Sequence, residues 1–217
     1  MEIKTFGLDD YNQYWKKRRE KNRTGISEIH KIIISIINEY VVVGGKILDL
    51  GVGPGHVFKE LQKKYQCYGM EISDEAFNLY DFPAHNIKKA DFSRGISNFD
   101  GVGSFDAIIA SNVVHHLAEP LKLIREIKTK MNKNSIFILV TPNVSFFLHR
   151  LKYFFKGEFP DFSFSHRNFI TPREFKKIFD EEGFKIDEIK TMGRHKTLLK
   201  LSPFLFSGAL FFVCRVK

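Results

Sequence analysis

Only two cysteines, Cys67 and Cys214, occur among the 217 residues, and neither stands in a spacing that would hold a metal. Both lie in apolar, strand-like runs, so buried free thiols in a reducing compartment are expected, with no metal site. Long apolar runs are also missing. The richest one, Leu198 to Phe206, is interrupted by Lys200 and Pro203 and is too short to span a membrane, so a loop packed on a sheet is expected there. Nothing in Met1-Glu2-Ile3-Lys4-Thr5 begins a secretory leader, so the expected location is cytoplasmic. There is no low-complexity tract, and 43% hydrophobic with 27% charged residues is the balance of a folded chain. At this length one domain over residues 1–217 is expected.

Acidic residues are sparse at the two ends. Residues 1–46 carry nine Lys and Arg against six Asp and Glu, and residues 185–217 carry seven against two. The middle, 47–184, is nearly balanced at eighteen against seventeen, which leaves the net charge of +9 at the termini. Basic patches draw nucleic acid or anionic surfaces. With no nucleic-acid motif in the chain, a solvated lysine-rich surface is expected and a nucleic-acid partner is not.

The third glycine of a Gly-x-Gly-x-x-Gly fingerprint is missing as well. What stands instead is Lys46-Ile47-Leu48-Asp49-Leu50-Gly51-Val52-Gly53-Pro54-Gly55-His56, a short apolar run that breaks into alternate glycines and leads into Val57, Phe58 and Leu61 at helical spacing. This pattern predicts strand, glycine turn and helix, with the main chain open to close approach by a ligand. A second strand, Cys67 to Ile72, carries Glu71 at 20 positions beyond Gly51, where a ribose hydroxyl pair would find a carboxylate acceptor.

Asp49 followed by Gly51-x-Gly53-x-Gly55 resembles motif I of the class I S-adenosylmethionine-dependent methyltransferases. Ala90-Asp91-Phe92 resembles that family's adenine loop, and Phe105-Asp106-Ala107-Ile108-Ile109-Ala110-Ser111-Asn112 its fourth strand. The resemblance covers roughly residues 25 to 217. It implies an α/β, Rossmann-like doubly wound seven-stranded mixed sheet, its last strand antiparallel, with helices on both faces. The implied cofactor is S-adenosylmethionine, held by Asp49, Gly51, Gly53, Gly55, Glu71 and Ile72, with Asp91 and Phe92 at the adenine. Ser111 and Asn112 join them, because ligands of open parallel sheets lie beyond the carboxyl ends of the strands.

Residues 9–23 combine Tyr11, Tyr14 and Trp15 with a cationic run. In relatives such a segment, here residues 1–24, closes over the cofactor as a lid. Ile26 to Tyr40 reads as a packing helix capped by Ser27, with His30 at its surface or in its packing. His115 and His116 follow the fourth strand; on an α-helix neighbours point about 100° apart, so at most one would face the ligand. Glu119-Pro120 starts a helix with Leu121, Ile124, Ile127 and Met131 on one face. The fifth strand is expected from Ser135 to Thr141, with Asn143 at the ligand edge.

Residues 144–170 hold nine aromatic side chains without a sustained helical or alternating pattern. Relatives carry a substrate-facing insertion at this place. His166-Arg167-Asn168-Phe169-Ile170-Thr171-Pro172 is similar to a segment of small-molecule and sugar methyltransferases, and Thr171 is suited to cap a helix begun by Pro172. A final helix, a strand from Phe184 to Met192 and an antiparallel strand from Ala209 to Lys217 complete the reading.

The resemblance implies in-line displacement of the methyl group onto a small-molecule or sugar acceptor. His115, His116, Asn143 and His166 are the candidates on the acceptor side, and none is marked as a general base. The segments 135–143, 146–156 and 166–172 also resemble MetW-type methionine-biosynthesis proteins and glycan-cluster methyltransferases. An alternative expectation is therefore a cofactor-binding regulatory partner of another enzyme that transfers no methyl group itself.

Overall fold

The computed structural model describes residues 8–21, 25–99, 101–157, 168, 170–193 and 196–217. The candidate His166 lies outside them. In chain order the elements are α1 (Leu8–Glu20), α2 (Glu28–Tyr40), β1 (Lys46–Leu50), α3 (His56–Leu61), β2 (Gln66–Glu71), α4 (Asp74–Phe77) and β3 (Ile87–Lys89). There follow β4 (Phe105–Ser111), α5 (Pro120–Thr129), β5 (Met131–Pro142), α6 (Phe147–Lys156), α7 (Pro172–Glu181), β6 (Phe184–Met192), α8 (Lys196–Leu201), α9 (Pro203–Phe206) and β7 (Ala209–Val216).

The strands form one sheet in the order β3-β2-β1-β4-β5-β7-β6. Strands β1 to β5 pair in parallel, and β7 enters antiparallel between β5 and β6. Alternation along each strand feeds two cores. Leu48, Leu50, Ile108, Phe137 and Phe212 join α5 and α7 on one face, whereas Ile47, Ile109, Ile138 and Phe211 join α2 and α3 on the other. Cys67 and Cys214 are buried free thiols, with β1, β4 and β5 between their strands. Burial pushes the Cys67 thiol up to about 12 and that of Cys214 upward as well.

Local signals explain the helices. Ser27 and His30 form a capping box at α2, and its Ile33, Ile36 and Ile37 are fully buried. Thr171 and Glu174 do the same at α7, where Pro172 sits in the first turn and has no amide hydrogen to leave without a partner.

Four expectations change. The α5 face is Leu123, Ile124 and Ile127; Leu121 is exposed, and Met131 already belongs to β5, opposite Phe105. β5 begins earlier than Ser135 because Ser135 and Asn132 side chains accept the amides of Asn132 and Asn134, carrying the chain through a local irregularity without leaving the sheet. The segment 198–206 is not a loop but contains α9 and most of α8. Residues 147–156 of the aromatic segment form helix α6, although none of its side chains is buried. Among the described residues no helix is long and apolar enough to cross a membrane.

Candidate functional site

Strand order reverses at β1, whose neighbours are β2 and β4, and the crevice beyond the carboxyl ends of these strands is where an α/β sheet binds ligands. A cavity of about 1150 Å³ opens there. The turn after β1 shapes its floor: Gly51 and Val52 donate to the carbonyl of Met70 at 2.9 and 3.2 Å, which ties the turn to the end of β2. Gly53 has a φ of +57°, in the left-handed region that glycine adopts without a Cβ penalty. A Cβ there would stand 2.9 Å from Cζ2 of Trp15 on α1.

Glu71 closes the loop between turn and strand. Its Oε2 accepts from the Gly53 amide at 2.8 Å, and its Oε1 accepts from the amides of Ile72 and Ser73, both at 2.8 Å. Burial raises its pKa, while the three amide donors oppose that rise by favouring the carboxylate. Asp49, buried on the same cavity wall, is pushed up to about 7 by burial first and by the Glu71 charge second. Asp49 and Glu71 are thus two buried acids on this wall whose charge a cationic ligand would stabilise.

Nine of the ten residues expected at the cofactor line this one cavity: Asp49, Gly51, Gly53, Glu71, Ile72, Asp91, Phe92, Ser111 and Asn112. Gly55 does not. A Cβ on it would meet the Phe82 ring at 2.5 Å, so its task is to let Phe82 and Tyr80 pack against the turn from outside. Asp91 caps the short 3-10 turn Phe92–Arg94 by accepting the Ser93 amide at 2.9 Å, with the Arg94 side chain 3.5 Å away. Asn112 is the only non-glycine residue with positive φ among the described residues, at 56°, and its amide donates to Val140 across the strand ends.

His115 and His116 sit in a 3-10 turn rather than an α-helix, and both line the cavity, with ring centroids 4.1 Å apart. The expectation that only one would face it does not hold. His115 is buried, and the edge of His116 meets Tyr11 of α1. Asn143 is committed elsewhere: its Nδ2 donates to the carbonyls of Phe204 and Ser207 at 2.6 and 2.8 Å, and Pro142 lines the cavity in its place.

Sequence reasoning missed Arg18, His30 and His56, which also line the cavity. The His30 and His56 rings lie 5.3 Å apart. Burial, then His56, then Arg18 lower the His30 pKa to about 4, and its neutral Nδ1 accepts the Ser27 amide. His56 was the legible one, since it directly follows the glycine turn. Helix α1 covers this side of the cavity and is tied to α4 by the pair of Ser73 Oγ with Asn12 Oδ1 at 2.7 Å, and by Arg19 with Glu75 at 3.0 Å. Among the described residues no group of three or more His, Cys, Asp or Glu is placed to hold a metal.

The family model described as a methyltransferase domain matches residues 14–189. No curated protein sequence matches the chain. Among solved structures, the magnesium protoporphyrin IX methyltransferase of Synechocystis, with bound S-adenosylhomocysteine, is 15% identical with a TM-score of 0.68 and full coverage of both chains. A TehB-like methyltransferase of Corynebacterium glutamicum is 19% identical with a TM-score of 0.64, covering 97% of this chain and all of the other. The putative methyltransferase in a Haloferax volcanii complex with the activator Trm112 is 14% identical with a TM-score of 0.67, covering 96% of each chain. Likeness at these identities concerns the fold.

Proposed function

The chain belongs to the methyltransferase-domain family, and from that premise we propose that it moves the methyl group of S-adenosylmethionine to a small-molecule or sugar acceptor by in-line displacement. The observation that carries this reading is the convergence of the glycine turn, Asp49, Glu71, Asp91 and Phe92 on one cavity. The residues fit the cofactor. Glu71, held rigid by three amides, is positioned to accept the ribose hydroxyls, and Asp49 offers a negative charge to a cationic amino group. Gly51 and Gly53 present bare backbone, and Phe92 supplies an apolar wall for an aromatic base.

When bound, this cofactor supplies a sulfonium-activated methyl carbon, so the protein's contribution is alignment and exclusion of water. Tyr11 and Trp15 on α1 cover the cavity, in keeping with a lid role for the segment 1–24, of which residues 8–21 are described. The segment 144–170, which follows the carboxyl end of β5, is proposed for the acceptor side; its residues 158–167 and 169 lie outside the described residues. An acceptor hydroxyl would have to release its proton, and His115 and His116, which line the cavity beyond the end of β4, are the side chains proposed to receive it.

The test is turnover of S-adenosylmethionine with a panel of hydroxyl, amine and sugar acceptors, read as S-adenosylhomocysteine formed. Formation dependent on one acceptor class supports the proposal. Tight cofactor binding without transfer to any acceptor would favour the regulatory partner that the MetW resemblance implies.

A further inference from the structure

Helix α6 is the one helix of ten or more residues, apart from α1, in which no described side chain is buried. Its apolar residues are nevertheless sorted to one side. At 100° per residue Phe147, Leu148, Leu151, Phe154 and Phe155 fall within an arc of about 120°. That stripe would face a core in an ordinary surface helix, yet here all five are exposed, Phe154 by 80% and Phe155 by 73%. The Phe147 ring meets Phe206 of α9 at 5.9 Å, so the stripe adjoins α9, and Leu201 of α8, the helix before it, is 76% exposed. A single exposed leucine needs no explanation; a sorted stripe of this kind does.

The charge around it identifies the partner. Arg150 and Lys152 flank the stripe at about 40° beyond its two edges. Residues 144–157 and 197–208 contain four Lys and Arg and no Asp or Glu. An apolar stripe of Phe and Leu bordered by cations is the pattern of a helix lying in the plane of a bilayer interface, apolar residues among the acyl chains and basic ones at the headgroups. We infer that α6, extended by α8 and α9, docks the protein on the surface of a membrane rich in anionic phospholipid. The mode is peripheral, since a ten-residue helix cannot span the hydrocarbon core. This face follows directly from the carboxyl end of β5, the edge of the sheet on which the cavity opens.

The experiment is co-sedimentation of the full chain with vesicles of phosphatidylglycerol and phosphatidylcholine, or of phosphatidylcholine alone, paired with sedimentation velocity without vesicles. Binding to the anionic vesicles, falling when salt rises from about 0.1 to about 0.5 M, is expected. The double variant Phe154→Ser/Phe155→Ser should lower the partition coefficient by at least about tenfold, and Lys152→Glu/Lys156→Glu should do likewise. Both should keep the thermal midpoint and the S-adenosylhomocysteine affinity of the parent, which excludes misfolding and separates this result from any failure of the cofactor assignment. Equal binding to both vesicle types, or none to either, overturns the inference. So does a concentration-dependent dimer that Phe154→Ser/Phe155→Ser abolishes in a protein that ignores vesicles, because the stripe would then belong to a second copy.

Discussion

The indole of Trp15 stands over Gly53, so close that a Cβ on the glycine would lie 2.9 Å from Trp15 Cζ2. Trp15 is the chain's only tryptophan, and its ring also meets Tyr14 at 5.0 Å and the Arg18 guanidinium at 5.8 Å. Intrinsic tryptophan emission therefore comes from this one ring, which stands over the glycine turn. Titration with S-adenosylhomocysteine is expected to change its intensity or wavelength along the same curve as calorimetric binding. Unchanged emission at saturating ligand would show that α1 does not attend the cofactor.

Asp49 makes cofactor affinity depend on pH. In the folded protein its carboxyl holds a proton up to about pH 7, against an ordinary value of 3.8, so the folded state binds more protons between these limits. Its contribution to stability is full below the lower value and is lost as pH rises through about 7. Asp49→Asn removes that slope, so the stability of the variant relative to the parent should grow with pH across this window. A cationic ligand has the opposite preference, for the ionised form. The parent's affinity should rise by up to about tenfold per pH unit below 7 and level off above it, whereas Asp49→Asn should be flat. Parallel curves for the two proteins would remove Asp49 from the binding equilibrium.

The face of the sheet under α7 carries its own test. Phe179 is fully buried against Phe137, Phe175, Phe184 and Phe212, with ring centroids 5.7 to 6.1 Å apart. Four aromatic walls cannot collapse into the space a phenyl ring leaves, so Phe179→Ala should cost about 3–5 kcal/mol in urea unfolding. A loss under about 1 kcal/mol would mean that the cluster reorganises freely.

The glycine-turn wall of the cavity was legible because its signals are local in sequence. Alternate glycines after an apolar run specify a turn whatever the rest of the chain does, and Glu71 ends the next strand; both read correctly. Gly55 was placed at the ligand for the same local reason, but a glycine admits whichever neighbour approaches, and that neighbour is Phe82, 27 residues further on. Asn143 was read from the strand end alone, and sequence spacing could not show that its side-chain amide donates to Phe204 and Ser207, more than 60 residues away. Arg18 and His30 reach the cavity from helices that precede β1, and nothing in their spacing marks them. Helix α6 was hidden for a different reason: it lies among the nine aromatics spread over residues 144–170, and only the 100° projection separates stripe from flank.

Calorimetric titration of S-adenosylhomocysteine into the parent and into Glu71→Ala tests the central claim most directly. Glu71 is 4% exposed, and a charge-assisted hydrogen bond there is worth roughly 1.5–3 kcal/mol before compensation by water. The account predicts saturable binding at one site per chain by the parent and affinity at least about tenfold weaker in a folded Glu71→Ala. No binding by the parent, or equal affinity in the two proteins, would contradict it.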